Sequence, residues 1–547
     1  MRVSCEPKCG SCRCGKCISG SQICTLKEER ELLLIKEGLS YDHVDQKWSC
    51  KYPWIKDPYL LPNNYSLASA MLNSLEKRLI KSGKDYCDAY QNEMESNIER
   101  GVFRKLSIED MKNYKDPIFY IPHTEVLKPE SESTPLRIVF NSSIRYCGFS
   151  LNEMWAKGPD VLNSLFGILL RIREFPVAFT CDLSKMYNQV ALSLFDMHCH
   201  RILWRDFDQN RKPDHYVLTC ATFGDKCAGI IAMLALKYTA EMFKDEFPQA
   251  ANIIIENSYV DDIIGGSEDT QSACKLMNEI ELIVSKGSFK IKHFLMSGNH
   301  PKNPNVILAK TVEGKVFGVS WKLQSDYYYF KAKVNFSSKR RNIHKEPDLT
   351  VHNFNVKFPA ILTRRMVFSV MAAQYNPLGL ISPFILKGKI LLRKLVTDDP
   401  GSNHDWDNPL SSEMKNEWFI FFQSMFELNS IKFVRCVKPI NAVGDPILII
   451  FSDASFMAYG ACAYIRYELK DGSYVNSLLT AKCKIAPIKS LTIPRLELNG
   501  AVLSARLETN IVKEMKCNFE SLHHCGFCYC ESTNPERKLW ILNFHFN

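Results

Sequence analysis

The sequence is poor in the features that would take a chain out of the cytosol. No apolar stretch follows Met1, so no secretory leader is expected. The longest apolar run, "AGIIAMLAL" at 228–236, stops at Lys237 and is too short to span a bilayer. There is no internal repeat and no long low-complexity segment, which excludes solenoids and extended disorder. Charge of one sign is not in large excess. The net +9 from 69 basic and 60 acidic residues tolerates nucleic acid as a partner without demanding it. The expectation is an intracellular, cytoplasmic protein with no membrane partner.

What is present is a globular composition, 46% hydrophobic and 24% charged. At 547 residues the chain exceeds one core, and about two to four domains are expected. Cysteine is plentiful at 21, and five fall in the first seventeen residues as C-x3-C-x2-C-x-C-x2-C (Cys5, Cys9, Cys12, Cys14, Cys17). Without a leader, disulfides are disfavoured. Four thiolates at this spacing suit one Zn²⁺, and the alternative is an unstructured Cys-rich leader. Residues 1–60 as a whole read as a turn-rich arm or linker.

Further on, "SLASAMLNSLEKRLIKS" (66–82) sets Leu67, Met71, Leu75 and Leu79 at helical steps, and "DYCDAYQNEMESNIERG" reads as a second helix closed by Gly101. Strands follow in "IFYIPHTEVL" and "LRIVFNS", around the polar "KPESESTP". "DVLNSLFGILLRIREF" reads as a helix. "PVAFTCDLSKMYNQVAL" reads as a strand with Asp182 at its end, and "HRILWRDF" and "HYVLTCATFG" as a strand pair. "DKCAGIIAMLALKYTAEMFKD" reads as a long helix. The run "NIII" then reads as a strand leading into "YVDDIIGG", so the Asp261–Asp262 pair sits between two strands. Residues 340 to 440 show no clear pattern, and a second α/β unit opens near 445.

Two adjacent carboxylates repel each other unless water or a cation takes up their charge. Phosphoryl transfer to a hydroxyl gives such a pair a use. It needs in-line positioning and two divalent ions about 4 Å apart beside the attacking and leaving oxygens. Mg²⁺ takes hard oxygen ligands and keeps several waters, so carboxylates from one strand and a neighbouring hairpin suffice. Asp182, Asp261 and Asp262 meet that demand. The competing interpretation is a solvated polar turn.

The same residues resemble the palm of a reverse transcriptase. "YVDD" is similar to that family's catalytic box and "TCDLSKMYNQV" to its first palm motif. The resemblance implies that Asp182, Asp261 and Asp262 hold Mg²⁺ or Mn²⁺. It also implies that Tyr187 lies under the sugar of the incoming nucleotide and excludes a 2′-hydroxyl. "TFGDKCAG" resembles the loop-to-helix motif beneath nucleotide and template, which gives Phe223 and Gly224 a nucleotide-binding role. "LRIVFNSS" resembles the fingers strand, with Arg137 meeting the triphosphate, and "KVFGVSW" (315–321) resembles the primer grip. Three longer stretches narrow the match: "LNEMWAKGPDVLNSLFGILLRIREFPVAFTCDLSKMYNQV", "RRMVFSVMAAQYNPLGLISPFILKGKILL" and "TIPRLELNGAVLSARL". With them the chain resembles polyproteins of BEL/Pao LTR retrotransposons from about residue 5 to about 510. Asn141 replaces the usual Asp, and Asp225 directly after "FG" is a second departure.

The implied architecture is α+β and multidomain: a right-hand polymerase with fingers, palm and thumb, then a truncated ribonuclease H-like α/β unit. The expected limits are 1–60 for the arm, 61–335 for fingers and palm, 336–440 for a thumb or connection, 441–530 for the ribonuclease H-like domain and 531–547 for an aberrant tail. Asp453 at the end of "ILIIFSDAS" and Glu497 in "TIPRLELNG" resemble two ribonuclease H acids. The next acid is missing from "FESLHHCGFCYCESTNPERKLWILNFHFN". His523, His524, Cys525, Cys528 and Cys530 in that stretch offer zinc ligands, and truncation is the duller reading. The region also carries a peptidase name in the family. Asp-Thr/Ser-Gly is absent, so proteolysis is not expected of it.

The expected function is RNA-directed DNA synthesis on an RNA or DNA template-primer from dNTPs, in virus-like particles of an active element. A full polyprotein would add a protease upstream and an integrase downstream. The alternative is a decayed or co-opted copy that binds nucleic acid with little catalysis. An RNA-dependent RNA polymerase is disfavoured, because those carry Gly where Val260 stands. The basic stretch 331–345 suits either a nucleic-acid backbone or solvent.

Overall fold

The computed structural model describes residues 25–127, 136–298, 306–309, 311–340, 343–344, 346–397 and 405–526. The N-terminal cysteines, Cys528, Cys530 and the 531–547 tail lie outside the described residues. Contacts divide the chain into two units: 1–162, 181–263 and 276–292 in the first, and 163–180, 264–275 and 293–547 in the second.

The first unit begins with a correction. The supposed arm is built into the fold. Helix α1 (Leu26–Gly38) opens with a capping box, in which the Thr25 hydroxyl accepts from the Glu28 N–H and the Glu28 carboxylate accepts from the Thr25 N–H. Strands β1 (Leu39–Asp42) and β2 (Lys47–Cys50) form a hairpin. Trp48 is 5% exposed, and its Nε1 donates to Thr239 Oγ1 at 2.8 Å. Losing such an indole costs about 3–5 kcal/mol, more than a linker would risk.

Helices α2 (Tyr65–Ser82) and α3 (Lys84–Glu99) follow as expected. The buried stripe of α2 is Ala68, Leu72, Leu75 and Leu79, so Leu67 and Met71 flank the core rather than fill it. A two-stranded antiparallel hairpin, β3 (His123–Leu127) and β4 (Leu136–Phe140), carries Arg137 opposite Val126. Strand β5 (Val177–Leu183) ends on the Asp182 segment. Strand β6 (Val190–Leu192) runs parallel to β2 and completes the sheet β1-β2-β6. The strands Arg201–Trp204 and Asp214–Leu218 pair antiparallel, and every residue of the former is buried. Helix α4 (Ala228–Met242) is apolar nearly all round and accordingly buried.

A second correction concerns "NIII". It closes helix α5 (Pro248–Asn257) rather than forming a strand. Pro248 suits the first turn, and the buried set Ala250, Ala251 and Ile254 has helical spacing. Only β7 (Ser258–Tyr259) precedes the aspartates, and β8 (Asp262–Ser267) follows them. With β9 (Ile291–Met296) these strands make a sheet of order β7-β8-β5-β9. The strand ends that carry the candidate site belong to the first unit.

In the second unit, Gly265 and Gly266 answer to packing. A Cβ on Gly265 would lie 2.3 Å from the Phe179 ring, and one on Gly266 2.7 Å from Phe175. The hairpin β10 (Glu313–Val316) and β11 (Val319–Lys322) turns through Phe317 and Gly318, both at positive φ. The stretch 340–440 is not irregular as expected. Its helices Arg364–Ala372, Ser382–Thr397 and Ser412–Ser424 surround a core with Trp418, Phe422 and Leu395 fully buried. The last sheet joins β12 (Ala442–Ala454), β13 (Ala458–Leu469), β14 (Tyr474–Ile485) and β15 (Ser521–Gly526) in the order β14-β13-β12-β15, with helix α6 (Ile493–Glu514) preceding β15. Among the described residues no helix is long and apolar enough to cross a membrane.

Candidate active site

Three carboxylates gather at one edge of the first unit because the backbone is tied there twice. The Leu183 N–H donates to the Asp261 carbonyl at 2.7 Å, and the Ser184 N–H to the Lys290 carbonyl at 2.7 Å. Tyr259 pairs with Asp262, so Val260 and Asp261 form a two-residue hairpin loop. Val260 takes φ +55°, a left-handed conformation that a β-branched residue rarely adopts. Such strain costs about 1–3 kcal/mol and holds only where its surroundings impose it.

The electrostatics are those of an anionic cluster short of positive charge. Burial, then the charges of Asp261 and Asp182, push the Asp262 carboxyl up to about 7. Burial and Asp182 also raise Asp261, against the pull of its own backbone N–H, Lys292 and Arg137. Lys292, on β9, forms an ion pair with Asp182 Oδ2. Asp182 Oδ1 is shielded from solvent and accepts no hydrogen bond. A hard divalent cation fits this donor set, since it would satisfy the orphaned oxygen and relieve the repulsion. Among the described residues no group of three or more His, Cys, Asp or Glu is drawn tightly enough to hold a metal alone. An ion here would therefore complete its shell with water or phosphate oxygens.

Around the carboxylates lie the residues named for nucleotide contact. Tyr187 sits in a 3₁₀ turn, Met186–Gln189, half-buried, and its ring lies 4.4 Å from that of Phe223. Beneath it is Gly229, where a Cβ would stand 3.7 Å from the Tyr187 hydroxyl. Gly224 has φ +111°, and a Cβ there would be 2.3 Å from the Phe140 carbonyl oxygen, so only glycine fits. Arg137 is near enough for its charge to act on Asp261. The sequence reading missed Lys292. No local signal marks it, because its partner Asp182 lies 110 residues earlier in the chain.

The second unit places its own candidates. Asp453 is exposed at the end of β12 and accepts from the Ala454 N–H at 2.7 Å. Gly500, one turn beyond Glu497 on α6, packs on Asp453: its Cβ would be 3.5 Å from the Asp453 carbonyl oxygen. Strand β15 runs parallel to β12 with Ile450 opposite His524 and Ser452 opposite Gly526. No acid stands on the described part of β15. Strand alternation separates His524 from His523 and Cys525, so these three do not converge on one zinc ion. His524 instead bonds Glu508 and, at 2.7 Å, Ser504, both on α6. Of the basic stretch 331–345, Lys331 pairs with Glu313 at 3.4 Å.

A foamy viral protease-reverse transcriptase dRH in complex with ds DNA matches at TM-score 0.51 and 14% identity, over 83% of this chain and 65% of that chain. The foamy viral protease-reverse transcriptase in complex with dsDNA matches at TM-score 0.48 and 14% identity, over 83% of this chain and 78% of that one. The likeness is one of fold, and this chain spans 65% of the first relative's length. Residues 363–527 match the family model described as Pao retrotransposon-like RNaseH-like domain. The chain is thus similar to retroelement proteins in both parts, a reverse-transcriptase fold with a Pao-type RNaseH-like domain. No curated protein matches it.

Proposed function

We propose that the chain is an RNA-directed DNA polymerase that extends a primer on an RNA or DNA template from dNTPs, with Mg²⁺ or Mn²⁺ as cofactor. The observation that carries this reading is the buried, unpartnered Asp182 Oδ1 beside the Asp261–Asp262 hairpin. Asp182 and Asp261 would hold the ions, and Asp262 would support them by its charge. Bound there, the cations supply positive charge to the attacking and leaving oxygens of an in-line displacement.

The chain's own side chains do the positioning. Arg137 faces the triphosphate as a fixed cation. Tyr187, braced by Phe223, sets the floor under the deoxyribose and leaves no room for a 2′-hydroxyl. Lys292 pairs with Asp182 when no ion is bound. The described residues up to about 335, with the 39–50 hairpin among them, serve as fingers and palm, and residues 363–527, which match the Pao RNaseH-like model, serve as the ribonuclease H-like domain. In that domain the motif resemblance supplies two acids, Asp453 and Glu497, fewer than a two-ion site needs, so RNA degradation is not expected of it.

Primer extension on poly(rA)/oligo(dT) with Mg²⁺ or Mn²⁺ tests the reading. Templated incorporation of dTMP is expected. A folded protein that binds the hybrid yet extends nothing with either ion would instead be a non-catalytic, co-opted copy.

A further inference from the structure

Asp225, the acid directly after Phe223 and Gly224, has no part in the chemistry above, yet it is among the most enclosed charges of the first unit. Its side chain is 0% exposed, as is that of His200, whose Nε2 lies 3.0 Å from Asp225 Oδ2. The carboxylate also accepts from Tyr52 Oη at 2.7 Å and from Ser142 Oγ. His200 Nδ1 lies 2.6 Å from the Asp196 backbone carbonyl. A ring with acceptors at both nitrogens satisfies them only by carrying both protons, so the pair is imidazolium and carboxylate. Trp155 stacks on the ring at 5.1 Å, and Tyr52 meets it edge-on at 5.0 Å. The Asp196 carboxylate is occupied by the Tyr52 N–H, Trp54 Nε1 and Ser193 Oγ. Every carboxylate oxygen of Asp225 and Asp196 has a partner within the cluster, so neither carboxylate is left for a ligand. It is a clasp.

What it joins gives it a purpose. Ser142 follows β4, the strand of Arg137, and Asp225 follows Phe223–Gly224. Asn152 adds a second tie: its Nδ2 donates to the Gly224 carbonyl at 2.9 Å and its Oδ1 accepts from the Lys226 N–H at 2.8 Å. Its own N–H donates to the Ser142 carbonyl at 3.0 Å. Phe223 itself is 48% exposed and rests on Tyr187. An exposed aromatic is thus held in place from behind by a buried ion pair.

We propose that Asp225 is a positioning residue which, paired with His200, locks the Phe223–Gly224 loop to the end of the Arg137 strand and so sets the Tyr187–Phe223 surface for the nucleotide. The proposal rests on the polymerase reading. Burial alone would lower the His200 pKa, but the Asp225 charge and hydrogen bond outweigh it and raise it. The other titratable groups facing this pair are Asp196, Tyr52, Cys50 and Cys227. Burial raises Tyr52, Cys50 and Cys227 and keeps them neutral. The clasp is therefore complete below the ordinary histidine range and is lost as pH rises through the raised value.

Two readouts on the full chain test it, with Asp225→Asn and the milder Ser142→Ala. The first is hydrogen exchange of the peptide 220–228 between pH 6 and 9. The second is single-nucleotide incorporation. In Asp225→Asn the loop amides should exchange about tenfold faster. The KM for dNTP should rise about tenfold with kcat within about threefold. Wild type should lose nucleotide affinity on the alkaline side, and Asp225→Asn should show a flat profile. Ser142→Ala should move both readouts the same way by less, and it decides the matter if Asp225→Asn does not fold. Loop exchange in Ser142→Ala equal to wild type overturns the clasp. A wild type that incorporates nothing overturns the polymerase reading alone, since exchange still reports on the clasp.

Discussion

Asp262→Asn separates charge from shape at the hairpin, because asparagine keeps the volume and removes the anion. In the wild type, burial and the charges of Asp261 and Asp182 carry this carboxyl from 3.8 up to about 7. An acid whose pKa rises on folding destabilises the fold once it ionises. The cost is absent well below pH 3.8, grows between the two values and is complete above about 7. A rise of about three pH units at ~1.4 kcal/mol each gives about 4 kcal/mol. Residual solvent access lowers this to about 2–4 kcal/mol. In EDTA at pH 8 the variant should therefore melt above wild type, with only the smaller part of that gain present at pH 5. Mg²⁺ should reverse the order at pH 8, since an ion that binds the native carboxylates stabilises wild type by mass action. Thermal melting followed by tryptophan fluorescence at both pH values, with EDTA or Mg²⁺, measures all four quantities. A gap equal at pH 5 and pH 8, or one indifferent to Mg²⁺, would refute the view that repelling carboxylates await a cation.

Three further outcomes follow from the same geometry. Asp182→Asn or Asp261→Asn should cut primer extension by at least about a thousandfold, a barrier increase of about 4 kcal/mol; near wild-type turnover in Asp261→Asn removes the metal assignment. Tyr187→Ala or Tyr187→Val should raise kcat/KM for ribonucleotides relative to deoxyribonucleotides, and an unchanged ratio in a competent enzyme would make Tyr187 a packing residue only. The labelled RNA strand of an RNA–DNA hybrid should stay intact while DNA synthesis proceeds; cleavage that vanishes in Asp453→Asn would show that another acid completes that site.

The sequence alone placed Asp182 at a strand end and Asp261–Asp262 on a hairpin, because apolar strands flanked by acids and glycines leave a local signature. It likewise marked α2 by periodicity, α3 by the glycine past its end and α4 by its length after Gly224. Local pattern misled at "NIII", where a run of three isoleucines suits a strand, whereas in α5 only Ile254 of the three is buried. The rest was decided by contacts far apart in sequence. Nothing local to residues 39–50 says that their hairpin continues into β6 or that Trp48 reaches Thr239. Nothing in "KIKHF" says that Lys292 meets Asp182, 110 residues earlier. Asp225 looked like a departure from a motif until the fold buried it against His200, Tyr52 and Ser142. Strand and helix periods are written in neighbouring residues, so a sequence shows them. The partner of a buried charge is set by which distant side chain the fold brings within hydrogen-bond reach in a low-dielectric interior, and only the tertiary structure decides that.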